Sequence, residues 1–104
     1  MIKVTVLYAN KPGGKFDFDY YIKKHMKLVK DKFGPMGLVK TEVDKGLGGR
    51  GPGAPAPYVA IGHMVFNSIE DFLKAEQAHG KDLGADIPNF TNIEPQFQVN
   101  EIVA

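Results

Sequence analysis

Between Phe16 and Phe33 apolar residues recur at the three-and-four spacing of a helix. Set about 100° apart, Phe18, Ile22, His25, Met26, Val29 and Phe33 form one stripe, and Lys23, Lys24, Lys27, Lys30 and Asp31 lie opposite. The spacing predicts a helix of about four turns. Asp17 is placed to cap it, Asp17 and Asp19 complement its N-terminal dipole, Lys30 and Lys32 complement the other end, and Gly34-Pro35 stops it. Upstream, Ile2, Val4, Val6 and Tyr8 alternate with Lys3, Thr5 and Leu7, the period of a strand, which Asn10-Lys11-Pro12-Gly13-Gly14 ends. Leu38 to Asp44 reads as a second strand and Tyr58 to Phe66 as a third. Ser68 opens a second helix through Ile69, Phe72, Leu73 and Ala75 that Gly80 interrupts. A turn-rich segment from Asp82 to Asn92 follows, and Gln96 to Val103 is a fourth strand. Gly46 to Pro57, rich in Gly, Pro and small residues, is a loop long enough to serve as a lid.

The resulting order, βαββαβ, is that of an α+β ferredoxin-like sandwich with a four-stranded antiparallel sheet. Right-handed crossovers put both helices on one face of the sheet and leave the other bare. Yet the third strand is apolar on both sides, with Val59, Ile61 and Val65 on one and Tyr58, Ala60, Met64 and Phe66 on the other. A half-solvated sheet would not tolerate this, so a second copy is expected to cover the bare face, giving an isologous homodimer built as a dimeric α/β barrel.

Composition narrows the chemistry. A chain of 104 residues is one domain with a single modest core, here residues 1–104, and its 43% hydrophobic and 24% charged content is that of a globular protein. A formal net charge of +1 with dispersed Lys and Arg offers no stripe for nucleic acid or anionic lipid. No apolar run approaches a membrane span, and Met1-Ile2-Lys3-Val4 begins as a strand without a signal-peptide pattern, so a cytoplasmic location is expected. The chain has no cysteine, which removes disulfides, thiolate nucleophiles and cysteine-ligated metals.

A titratable ring on a stripe that should be buried makes His25 the leading candidate. Imidazole changes charge near neutral pH and serves as a general acid or base, but a core histidine satisfied by backbone and Tyr21 fits the same pattern. Tyr21, one turn earlier on the edge of the stripe, either orients the ring, binds a substrate oxygen or is packed core. Tyr20 falls on the opposite side and is expected to face solvent or another subunit. Asp86 would fix the tautomer of His25 if the turn-rich segment closes over the pocket, and Tyr58, Asn89 and Phe90 are candidates to contact a substrate. His63 either lines the same pocket or lies between sheets. His79, before Gly80, suits a helix C-terminus. No spacing of the three histidines makes a metal site, and Gly46-Leu47-Gly48-Gly49-Arg50-Gly51 lacks the helix and the GK[ST] of a nucleotide loop.

Phe16-Asp17, Tyr20-Tyr21, His25-Met26 and Leu28-Val29 together resemble the EthD family, a branch of the dimeric α/β-barrel superfamily. So do Val43-Asp44-Lys45-Gly46-Leu47, Pro52 to Ala60 and Asp86-Ile87-Pro88-Asn89-Phe90-Thr91, in the same order along nearly the whole chain. One departure stands out: the family often has proline two residues after the histidine, and this chain has Lys27, so a regular helix is expected to continue there. The resemblance implies a small hydrophobic or aromatic substrate held between helices and sheet, and no cofactor. Family members are linked to ethyl tert-butyl ether degradation beside a cytochrome P450 system, and more distant relatives include lactone isomerases and polyketide decarboxylases or dehydratases.

Three classes of function follow. The first is a cofactor-independent isomerase or lyase with His25, Tyr21 and Asp86 as catalytic residues and Tyr58, His63, Asn89 and Phe90 binding substrate. The second is a non-catalytic carrier or accessory protein for an oxygenase partner. The third is a monooxygenase like other dimeric barrels.

Overall fold

Alternation along the first strand sets the core. In the computed structural model, which describes residues 1–104, β1 (Ile2–Ala9) buries Ile2, Val4, Val6 and Tyr8 and leaves the residues between them half covered. It is followed by α1 (Phe18–Tyr20), a π-helical turn (Tyr21–His25), α2 (Met26–Phe33), β2 (Leu38–Lys45), β3 (Tyr58–Phe66), α3 (Ile69–Asp86) and β4 (Gln96–Glu101). The strands lie in the order β2-β3-β1-β4 and every pair is antiparallel, so the expected α+β ferredoxin-like sandwich is present. The register Val4↔Met64, Val6↔Gly62, Tyr8↔Ala60 gives one face on which the helices pack, and Phe33, Phe66 and Phe72 close it in tilted and edge-to-face contacts at 5.6 and 5.4 Å. Val59, Ile61, His63 and Val65 point to the helix-free face, across from Lys3, Thr5 and Leu7. The helices do not reach β4: Phe97 and Val99 lie beside Val6 and Val4 on the helix side yet remain 62% and 41% exposed.

Both helix caps form as read, with Asp17 Oδ1 accepting from the Tyr20 N–H and Ser68 Oγ from the Asp71 N–H, each at 3.1 Å. Three local expectations are corrected. The first helix is not regular through its middle: the Met26 N–H donates to the Tyr21 carbonyl across a π turn. The wide turn holds one residue more than an α turn and shifts the angular count, so Tyr21 is buried while Ile22 is 52% exposed. The second helix is not interrupted at Gly80 but runs on to Asp86, because Leu83 and Ile87 continue the stripe begun by Phe72 and Ala75. Their burial outweighs the roughly 1 kcal/mol that each internal glycine costs. His79 is therefore mid-helix and caps nothing, and Ile69 and Leu73 face outward. The loop after β2 prolongs the hairpin. Gly46 N–H donates to Val59 O and Gly49 N–H to Ala54 O, both at 2.9 Å, Asn10 N–H ties Pro57 O to the end of β1, and the tip turns at Gly53 with φ +74°. No helix is long and apolar enough to cross a membrane.

Candidate functional site

The segment after α3 is stitched to the segment before α1. Phe16 bridges Thr91, the Asp17 N–H donates to the Phe90 carbonyl at 2.8 Å, and the Lys15 N–H donates to Asn92 Oδ1 at 2.8 Å. This clasp brings the C-terminal end of α3 against the π turn, and with it Asp86 against His25.

The two side chains meet at 2.8 Å, His25 Nδ1 to Asp86 Oδ2, with only 8% and 14% of each exposed. The other carboxylate oxygen accepts from the Tyr20 hydroxyl at 2.6 Å and from Asn89 Nδ2 at 3.0 Å. A carboxylate at a helix C-terminus is disfavoured by the dipole, and burial pushes Asp86 upward. The hydrogen bonds from Tyr20, Asn89 and His25, with the charge of His25, outweigh that burial and hold the carboxyl below its usual range. The hydrogen bond to Asp86 in turn raises the Tyr20 phenol, which stays a neutral donor. Tyr20 is thus corrected from an outward residue to a partner of Asp86, and the shifted count of the π turn is the reason. A tyrosine pair five and four residues ahead of a histidine was the available signal, readable only once that turn is known.

Aromatic rings fix the imidazole on both sides. Tyr21 stacks on it at 5.4 Å with 12° between planes, the overlay that a wide turn gives residues four apart, and Phe90 leans on it at 4.7 Å. Burial and the neighbouring Tyr8 phenol push Tyr21 far up, and burial pushes Tyr8 up to about 12, so neither phenol ionises near neutrality. The Tyr21 hydroxyl sits over the Cα of Gly62: a Cβ there would collide with it, which explains a glycine in the middle of a central strand.

Beyond His25 lies a cavity of about 100 Å³ under α3, walled by Val6, Met26, Phe33, Met64 and Leu83 and reaching solvent past Phe97. His25, Tyr8 and Tyr21 supply polar groups to its lining. Because Nδ1 is committed to Asp86 and Nε2 makes no hydrogen bond within the chain, Nε2 is the nitrogen available to a guest. An apolar chamber with one oriented imidazole can bind a small hydrophobic molecule and take or give a proton. No three His, Cys, Asp or Glu side chains are grouped as metal ligands.

The other expected site residues lie as follows. Asn89 and Phe90 support Asp86 and His25 and do not line the cavity. His63 is on the opposite face of the sheet, its Nε2 2.8 Å from Asp44 Oδ2 and its Nδ1 3.3 Å from Thr5 Oγ1. Tyr58 borders a separate cleft at the base of the β2–β3 hairpin, beside Asp44 and Pro57. The loop from Gly46 to Pro57 contributes nothing to the walls around His25 and is not a lid over them. Glu76, Gly80 and Gly84 do line that cavity, and sequence reasoning missed them because a helix break was expected at Gly80.

A family model described as the EthD domain matches residues 15–94. Among solved structures, an EthD-like protein from Ralstonia eutropha JMP134 is 39% identical with a TM-score of 0.93, covering 99% of this chain and 92% of that one. An ethyl tert-butyl ether (EthD) family protein from Bacillus halodurans C-125 is 24% identical with a TM-score of 0.73, covering 97% of each chain. A dimeric ferredoxin-like protein from an uncultured marine organism shares the fold, at 11% identity and a TM-score of 0.56 over 100% of this chain and 96% of its own. No curated protein matches.

Proposed function

The chain belongs to the EthD family, and from that premise we propose that it binds a small hydrophobic metabolite beside His25 and moves a proton on it without a cofactor, as an isomerase or lyase does. The single observation that supports this reading is the hydrogen-bonded His25–Asp86 pair at the wall of an apolar cavity, with Nε2 unspent. In this reading Nε2 accepts a proton from one substrate carbon, Asp86 stabilises the imidazolium so formed, and the proton returns from Nε2 to a second position. Tyr21, neutral and stacked on the ring, keeps it in plane with the cavity and offers a hydroxyl to a substrate oxygen.

The working unit in this proposal is a homodimer closed through the helix-free sheet face, and its place is a degradation pathway that an oxygenase feeds. The half-covered Val59 and Ile61 on that face support the pairing, since a row of aliphatic side chains gains by leaving water. Light scattering at micromolar concentration is expected to give twice the mass of one chain, and a monomer would remove the barrel.

The reaction is tested by solvent exchange. Small cyclic ketones and lactones are incubated with the protein in deuterated buffer, and loss of substrate C–H signals is followed by NMR. The wild type is expected to catalyse exchange of at least one of them, and His25→Ala, still folded, to do so about 100-fold more slowly. Exchange unchanged in a folded His25→Ala overturns the proposal. Ligand binding without exchange by the wild type overturns it in favour of a carrier.

A further inference from the structure

The cavity has a second polar end. Along α3 the residues Glu76, Gly80 and Gly84 follow one another at intervals of four, and all three line the chamber that His25 lines. Glycine at 80 removes the side chain that would fill the space beneath the first of them. The Glu76 carboxylate lies there instead, so close that a Cβ on Gly80 would strike its Oε1.

 The nearest carbon, Cδ, would stand at 2.7 Å. Glu76 is an exposed residue at the rim of the chamber that makes no hydrogen bond and no ion pair within the chain, and the covered part of its carboxyl raises it above the usual range. Asp86, by contrast, has three donors. Both Glu76 and His25 line the chamber, so an imidazole and a carboxyl without a partner in the chain border the same space beneath α3.

We propose that Glu76 is a specificity-determining residue that accepts a hydrogen bond from a donor group, a hydroxyl or an ammonium, on the end of the ligand remote from His25. The ligand class follows: a compact apolar molecule with a reactive carbon at one end and a hydrogen-bond donor at the other. Its size is bounded as well. A closed chamber of about 150 Å³ holds benzene, and this one, at about 100 Å³, encloses a smaller body and lets the rest extend past Phe97. The inference rests on the cavity being the ligand site, as proposed above, and adds the second anchor.

The test uses toluene, p-cresol and benzylamine as probes, with dissociation constants from NMR titration of the wild type, Glu76→Ala, Glu76→Gln and His25→Ala. Toluene measures the apolar chamber, p-cresol adds a hydroxyl and benzylamine an ammonium. In the wild type at least one donor-bearing probe is expected to bind about tenfold more tightly than toluene. Glu76→Ala is expected to abolish that preference while leaving toluene within about twofold, and Glu76→Gln to keep part of the hydroxyl preference, since an amide oxygen still accepts. His25→Ala is expected to preserve it. A preference unchanged in folded Glu76→Ala overturns the inference. So does a preference lost only in His25→Ala, which places the donor at the imidazole and leaves the proton-transfer reading standing. Failure of all three probes to bind the wild type overturns both.

Discussion

Two histidine–aspartate pairs with the same 2.8 Å separation stand on opposite faces of one sheet. His25–Asp86 is enclosed, its imidazole stacked on Tyr21 and leaned on by Phe90, and its carboxylate accepts from two further donors. His63–Asp44 joins neighbouring strands, and 60% of the Asp44 side chain meets solvent. Distance therefore says little about what a pair can do. Enclosure decides it: in a dry setting the carboxylate must be fully satisfied and then holds the imidazole in one orientation, whereas an exposed pair competes with water and contributes little.

The largest expected effect separates the pairs by stability. Asp86→Ala leaves Tyr20, Asn89 and His25 without their acceptor and is expected to cost about 2–3 kcal/mol in urea unfolding. Asp44→Ala is expected to fall within about 0.5 kcal/mol of the wild type. Equal losses would erase the distinction. Gly62→Ala comes next. Its methyl group must displace the buried Tyr21 hydroxyl, at a cost of about 1–3 kcal/mol, and toluene binding in the cavity should weaken with it.

A smaller effect lies in the acid limb of stability. The Asp86 carboxyl is held below its unfolded value, so its contribution is fully present above the usual carboxylate range and is lost as pH falls through the depressed folded value. Asp86→Asn is expected to flatten the stability curve between about pH 5 and pH 2. Tyr20→Phe removes one of the hydrogen bonds that lower Asp86 and should move that limb to higher pH. A limb unmoved by either Asp86→Asn or Tyr20→Phe would show that the carboxylate is not held as described.

The same comparison explains what could be read from the chain. Strand alternation placed β1 and a continuous apolar run placed β3, both almost to the residue, because period two marks a half-buried strand and a short apolar run between turn signals marks a covered one. The inward histidine was legible from its stripe. Tyr20 was not, since a π turn leaves no mark in hydrophobic spacing and moves every residue after it by one position's worth of angle. Asp86 was legible as a partner only on the assumption that the segment closes, and the clasp from Lys15–Asp17 to Phe90–Asn92 that closes it is a long-range backbone pairing with no local signal. Gly80 misled because glycine's intrinsic cost was weighed without the burial of Leu83 and Ile87 that overrides it.

The most direct test of the central claim, that Asp86 fixes His25 so that Nε2 is presented bare to the cavity, is the tautomer of the neutral ring. Long-range ¹H–¹⁵N correlation spectra of ¹⁵N-labelled protein, recorded above the pH at which the imidazole is charged, report which nitrogen carries the proton. The account predicts that His25 is protonated at Nδ1 and unprotonated at Nε2, and that this preference disappears in Asp86→Ala. A His25 ring protonated at Nε2 in the wild type would contradict it.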